Sequence, residues 1–223
     1  MLGYSVFLPS YSVGENCYKE IPYVTRKFGT RAVVIGGKTA MSKAKPELEA
    51  AIKDSDVEIL DYIWYGGDSS YENVEMLKNN PLVTGADMLF GVGGGRACDT
   101  VKTLADMLDK PFFTFPTLAS NCAACTAITV MYNPDGSFKE YYYMHGPSYH
   151  TFINTKIIAD SPEKLLWAGI GDALSKECEV LYAGRDKFMY HTPLMGQCIS
   201  KVCTTPLVEY GAKALEACRN NKP

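Results

Sequence analysis

No apolar run in this sequence approaches the ~20 residues that a membrane span needs, and the opening MLGYSVFLPSYSVGEN lacks the basic start and long apolar stretch of a secretory signal. A cytosolic protein is expected. Charge of one sign is scarce as well: 22 Lys and Arg against 25 Asp and Glu leave a net charge of -3. Such a balance gives no field to gather nucleic acid or an anionic membrane, so neither is an expected partner. Histidine occurs only at positions 145, 150 and 191, and no Ser-His-Asp or Cys-His pattern stands at a nucleophile-elbow spacing. Internal repeats and low-complexity segments are missing too.

What is present describes an ordinary globular chain. Its 223 residues, 47% hydrophobic and 21% charged, exceed one typical domain and fall short of two complete ones. One domain plus part of another fits. Eight cysteines, at 17, 98, 122, 125, 178, 198, 203 and 218, are scattered. Several lie inside helical patterns, where cysteine acts as a small hydrophobe, and they are read as reduced thiols.

The chain is organised around ADMLFGVGGGRACDTVK, residues 86–102. Met88-Leu89-Phe90-Gly91-Val92 is a short apolar run that ends in three glycines. A helical spacing of Ala97, Val101, Leu104 and Ala105 follows. Strand, tight turn and helix bring bare backbone N–H groups and the positive end of a helix to one place, which suits a phosphate or pyrophosphate. The spacing matches neither G-x-G-x-x-G nor a P-loop, so a turn that only packs remains the alternative.

The remaining pattern alternates. A strand is expected over Tyr4–Leu8 and a helix over Glu15–Phe28. A buried strand at 31–37 ends in Gly36-Gly37 and leads into a helix from Lys38 to Lys53. Strands follow at Val57–Tyr65 and Phe112–Phe115, with helices at Tyr71–Asn79 and Arg96–Leu108. This predicts an α/β fold, a Rossmann-like parallel sheet whose ligand crevice lies beyond the strands' C-terminal ends. Gly36-Gly37-Lys38, Gly93–Gly95 and Pro116–Cys125 all fall there. Asn133-Pro134-Asp135-Gly136 joins two strands of a hairpin, and Thr151–Thr155 is a further candidate strand. From Ser161-Pro162-Glu163 the pattern is helical, so residues 1–160 form the dinucleotide-binding domain and 161–223 begin an all-α domain. The pattern is still helical at ALEACRNNKP, and the all-α domain is expected to be incomplete.

GVGGGRACDTVK, FPTLASNCAACTAITVMYNPDGSF and IADSPEKLLWAGIGDALSKECE resemble, in order, motifs of the iron-containing (group III) alcohol dehydrogenases. The glycerol dehydrogenase-like and hydroxycarboxylate dehydrogenase-like branch is most similar. The resemblance implies an oxidoreductase that moves a hydride between NAD or NADP and a small-molecule substrate, with a divalent metal, Zn or Fe, as Lewis acid. It places Gly94, Gly95, Arg96 and Asp99 in the pyrophosphate loop, and Thr117, Ser120, Thr126, Ile128 and Tyr132 along the rest of the cofactor crevice. The aspartate of the family's G-x-G-D-A-L metal-binding segment falls on Asp172. A carboxylate there suits a divalent ion, although an Asp after glycine inside a helical pattern also serves as a first-turn charge.

Three departures from the family pattern bear on function. Where glycerol dehydrogenases carry a substrate-binding aspartate this chain has Cys122, which favours 2-oxo or 2-hydroxy acids over glycerol. Gly37-Lys38 replaces the acidic residue that NAD enzymes place near the ribose, which favours NADP, with an exposed lysine at a helix start as the alternative. The family's two histidine ligands have no counterpart in His145, His150 or His191. Cys122-x-x-Cys125 also fits half a zinc site or a redox pair, but the other cysteines offer no matching spacing. Against the dehydrogenase stand a non-catalytic dinucleotide-binding fragment and a dehydroquinate synthase-like lyase. The P-T-x-A-S and hairpin motifs favour the dehydrogenase, and a homo-oligomer remains open.

Overall fold

The computed structural model describes residues 6–220, and its first regular element lies later than the sequence pattern places it. Of the strand expected over 4–8, Tyr4 and Ser5 lie outside the described residues and Val6–Leu8 are irregular. Strand β1 is Tyr11–Val13, a three-residue edge whose Tyr11 and Val13 are exposed. The helix expected over 15–28 is broken into a 3-10 turn at Cys17–Glu20 and the short α1, Ile21–Thr25. Pro22 explains the break: it brings no N–H to a helix interior and is tolerated only in a first turn.

Next come β2 (Arg31–Gly36), α2 (Lys38–Ile52), β3 (Glu58–Trp64), α3 (Tyr71–Lys78) and α4 (Pro81–Gly85). The helix expected over Tyr71–Asn79 ends at Lys78 with Asn79 as its C-cap, and Pro81 lies beyond it. Pro81 opens the short α4, because the Asn80 side chain accepts the Leu82 N–H at 2.9 Å and Pro fits the first helical turn. The chain continues with β4 (Met88–Gly93), α5 (Gly95–Met107), β5 (Phe112–Pro116), a 3-10 turn at Ala123–Cys125, and the hairpin β6 (Ile128–Tyr132) and β7 (Phe138–Tyr143). Then follow β8 (His150–Ile153), α6 (Thr155–Ala159), α7 (Glu163–Gly184) and α8 (His191–Arg219). All eight cysteines are free thiols. No helix among the described residues is long and apolar enough to cross a membrane.

The described chain forms two compact units: Phe7–Leu118 with Cys122–Ile158, and Ala119–Asn121 with the residues from Ala159 onward. The first holds a six-stranded sheet in the order β1-β8-β5-β4-β2-β3, with every pair parallel. Alternation assigns its side chains to two faces. Val34, Met88, Phe90 and Val92 meet Met41, Ala44 and Leu48 of α2. Val33, Ile35 and Leu89 meet Val74 and Leu77 of α3 and Val101 and Leu104 of α5. Aromatic rings tie the central strands together. Phe115 and Phe152 stack at 4.8 Å, and Tyr18 meets Phe115 edge-on at 5.3 Å. Each such pair adds ~0.5–1.5 kcal/mol to area burial. In the second unit α7 packs along α8. Gly169 permits the segment 119–121 to lie against α7, since a Cβ there would stand 1.6 Å from the Ala119 carbonyl oxygen.

Candidate functional site: a glycine-lined crevice at the sheet's switch point

Strand order decides where a ligand can enter. From β2 the chain passes through α2 to β3 on one side, and from β4 it passes through α5 to β5 on the other. The two helices cover opposite faces, which leaves a crevice beyond the C-terminal ends of β2 and β4. Gly37 is the N-cap of α2 and Gly94 that of α5, and among the described residues no side chain caps either helix. Neither first turn carries an acidic residue. Their first N–H groups are therefore left for an anion, and Lys38 and Arg96 in those turns add positive charge to two helix dipoles. The turns abut: a Cβ built on Gly93, whose φ is +150°, would lie 3.8 Å from the Gly37 nitrogen and 2.8 Å from the Ala97 Cβ. The two glycine turns thus stand side by side, and paired helix N-termini of this kind suit an anion.

Around it the structure brings most of the expected residues together. The Lys38 ammonium stands 5.0 Å from the centre of the Trp64 ring at the end of β3. Trp64 is 45% exposed and offers a flat face beside that cation. Arg96 lies over the Tyr132 ring at 4.8 Å and pairs with Asp68 at 3.2 Å. Thr117, buried after β5, donates its backbone N–H to the Gly93 carbonyl at 3.1 Å and so fixes the glycine turn.

Asp99 faces inward. One of its carboxylate oxygens is 2.9 Å from the Lys102 ammonium and the other accepts the Val130 N–H at 3.2 Å. Burial pushes the Asp99 carboxyl above the usual carboxylate range, and Lys102 opposes that shift. Lys102 in turn donates to the carbonyls of Ala123 and Ile128, both at 2.7 Å, and to the Thr126 carbonyl and hydroxyl at 3.3 and 3.1 Å. Thr126 and Ile128 thus sit on a loop held from beneath, with Cys122 exposed at its start. Cys98 below the loop is pushed up to about 12 by burial and remains a thiol at neutral pH.

Ser120 and Asp172 belong to the helical unit. Asp172 pairs with Lys176 at 3.2 Å, and Lys176 also pairs with Glu179 at 2.9 Å. Among the described residues no group of three or more His, Cys, Asp or Glu side chains is placed to hold a metal.

Sequence reasoning passed over Lys102, Asp68 and Trp64. For Lys102 the signal was present: a lysine between Val101 and Leu104 lies on the apolar stripe of its own helix, three residues after an aspartate. Asp68 and Trp64 carry no such mark, since only the fold brings them to the crevice.

Comparison with known proteins agrees with this geometry. The sequence model of the iron-containing alcohol dehydrogenase family matches residues 9–150. Glycerol dehydrogenase of Escherichia coli O6:H1 is 29% identical over 213 residues, covering 93% of this chain and 57% of that protein. Hydroxycarboxylate dehydrogenase A of Escherichia coli K12 is 35% identical over 154 residues, covering 68% of this chain and 41% of that protein. The solved glycerol dehydrogenase of Schizosaccharomyces pombe shares the fold, with a TM-score of 0.84 at 23% identity over 99% of this chain and 57% of that one. The chain thus spans about half the length of the curated relatives it matches.

Proposed function

Since the chain belongs to the iron-containing alcohol dehydrogenase family, we propose that its crevice binds a nicotinamide dinucleotide, NADP(H) ahead of NAD(H), for hydride exchange with a small 2-oxo or 2-hydroxy acid. The observation that carries this reading is the pair of side-chain-free helix N-termini, at Gly37 and Gly94, meeting at the β2/β4 switch point. When bound, the nicotinamide supplies or accepts the hydride. The residues of this chain bind and orient. Gly94, Gly95 and Arg96 take the pyrophosphate at the start of α5, and Lys38 takes the ribose 2′-phosphate beside Trp64. Thr117, Ile128 and Tyr132 border the nicotinamide end with Thr126, and Ser120 is assigned there by motif. Asp172 is assigned by motif to a divalent metal of the complete protein.

Cys122 selects substrate in this reading. It is exposed and uncharged where a polyol-binding aspartate would repel an acid anion. The similarity to hydroxycarboxylate dehydrogenase A supports 2-oxo acids, and the similarity to glycerol dehydrogenase supports glycerol as the second reading. Comparing kcat/KM on a 2-oxo acid and on glycerol in the complete protein tests the choice. A clear glycerol preference would refute the argument from Cys122, and Cys122→Asp is expected to move preference towards polyols.

Titration with NADPH and NADH tests the cofactor. Lys38→Asp should cost NADPH roughly 1.5–3 kcal/mol, the worth of a hydrogen bond to a charged group, and NADH much less. Equal affinities for both cofactors in the wild type, or no change in Lys38→Asp, would remove the basis for NADP preference.

A further inference from the structure

Lys102 has no exposed side-chain surface, although lysine is almost never fully buried unless paired. Among the described residues its carboxylate partner is Asp99, on the same helix and buried beside it. Burying two charges is costly, and an apolar pair of similar volume is often neutral or better for stability. Core packing therefore does not account for an ammonium at this point. What it does reach is a set of loop oxygens: the carbonyls of Ala123, Thr126 and Ile128, and the Thr126 hydroxyl, all within 3.3 Å. Through the other oxygen of Asp99 the same pair also holds the Val130 N–H. One helix side chain and its partner thus fix the path of the chain from 123 to 130.

We propose that Lys102 is a positioning residue for the cofactor: acting through three loop carbonyls, its ammonium sets where Thr126 and Ile128 meet the nicotinamide half of the dinucleotide. This rests on the dinucleotide reading above, and its effect is confined to the loop. Other bonds hold that loop to the core without Lys102. The Thr114 hydroxyl donates to the Ala124 carbonyl at 2.9 Å, and the hydroxyls of Thr103 and Thr129 are bonded at 2.9 Å. Removing the ammonium should loosen 123–128 and leave the sheet in place.

The test uses Lys102→Met, which keeps length and removes charge, and Lys102→Arg, which keeps charge. Each is measured by NADPH titration, thermal melting and amide hydrogen exchange. Expected are at least tenfold weaker NADPH binding in Lys102→Met, partial recovery in Lys102→Arg, and faster exchange at 123–128 with β4 and β5 unchanged. Wild-type NADPH affinity in Lys102→Met, or equal losses in the two variants, would overturn the proposal. Loss of the cooperative melt in both would also overturn it, because the role would then be global. If only Lys102→Met fails to fold, Lys102→Arg decides: weaker binding with loop exchange raised supports positioning, and wild-type values on both counts refute it. A wild type that does not bind NADPH would sink the dinucleotide reading, while the exchange data would still report whether Lys102 fixes the loop.

Discussion

Gly93→Ala should separate a dinucleotide site from a turn that merely packs. At a φ of +150° an L side chain is strained, which costs ~1–3 kcal/mol. The new methyl would also stand 2.8 Å from the Ala97 Cβ in the first turn of α5, and relieving such overpacking costs ~1–3 kcal/mol more. A total of roughly 2–6 kcal/mol lowers the melting temperature by about 4–24 °C in a unit of this size. Stability alone does not identify a site, so the assay pairs melting with NADPH titration and uses Gly136→Ala as control. Gly136 has a φ of +81° in the hairpin turn and nothing within 4 Å of a built Cβ. It should lose about 1 kcal/mol through strain and keep full affinity. Gly93→Ala should bind NADPH at least tenfold more weakly, about 1.4 kcal/mol, because the methyl occupies the space between the two helix ends. Gly93→Ala with wild-type affinity would refute the reasoning, whatever its stability.

Two further perturbations test other parts of the structure. Gly169→Ala should destabilise the helical unit by at least about 2 kcal/mol, because its Cβ would stand 1.6 Å from the Ala119 carbonyl oxygen; a melt within 1 °C of wild type would show that 119–121 does not lie against α7. His150 is held between the hydroxyls of Ser10 and Ser12 at 2.8 and 2.9 Å, and burial keeps its pKa below the ordinary value while Glu20 opposes that shift. The unfolded chain therefore takes up this proton first as pH falls below about 6.5. Stability from His150 is complete above that pH and is lost on acidification down to the native pKa. The melting temperature should fall between pH 7.5 and 5.5, less steeply in His150→Gln; equal slopes would exclude His150 as the cause.

The sheet was legible because its strands are nearly continuous apolar runs. Ala32–Ile35 and Met88–Val92 are buried on both faces, so hydrophobicity alone marks them and glycines mark their ends. β1 was misplaced for the opposite reason: its three residues are held by pairing with β8 rather than by burial, and no alternation shows it. The helix expected over 15–28 was too long because proline is neutral in a first turn and disruptive beyond it, and Pro22 lies inside that span. Of the crevice, the glycine turns and Lys38 were readable as local sequence. The setting of Arg96 between Asp68 and Tyr132 joins positions far apart in sequence. Helical spacing marked Lys102 as a lysine on a buried stripe, but the oxygens it reaches at 123–128 come to it only through the fold.

In the proposed function, two uncapped helix N-termini at the β2/β4 switch point form a dinucleotide site. A crystal structure of the protein grown with NADPH tests it directly. The pyrophosphate is expected against the backbone N–H groups that begin α2 and α5, the 2′-phosphate within reach of Lys38, and the nicotinamide half beside Thr126 and Ile128. NADPH bound elsewhere, or crystals from saturating NADPH with that crevice empty, would contradict it.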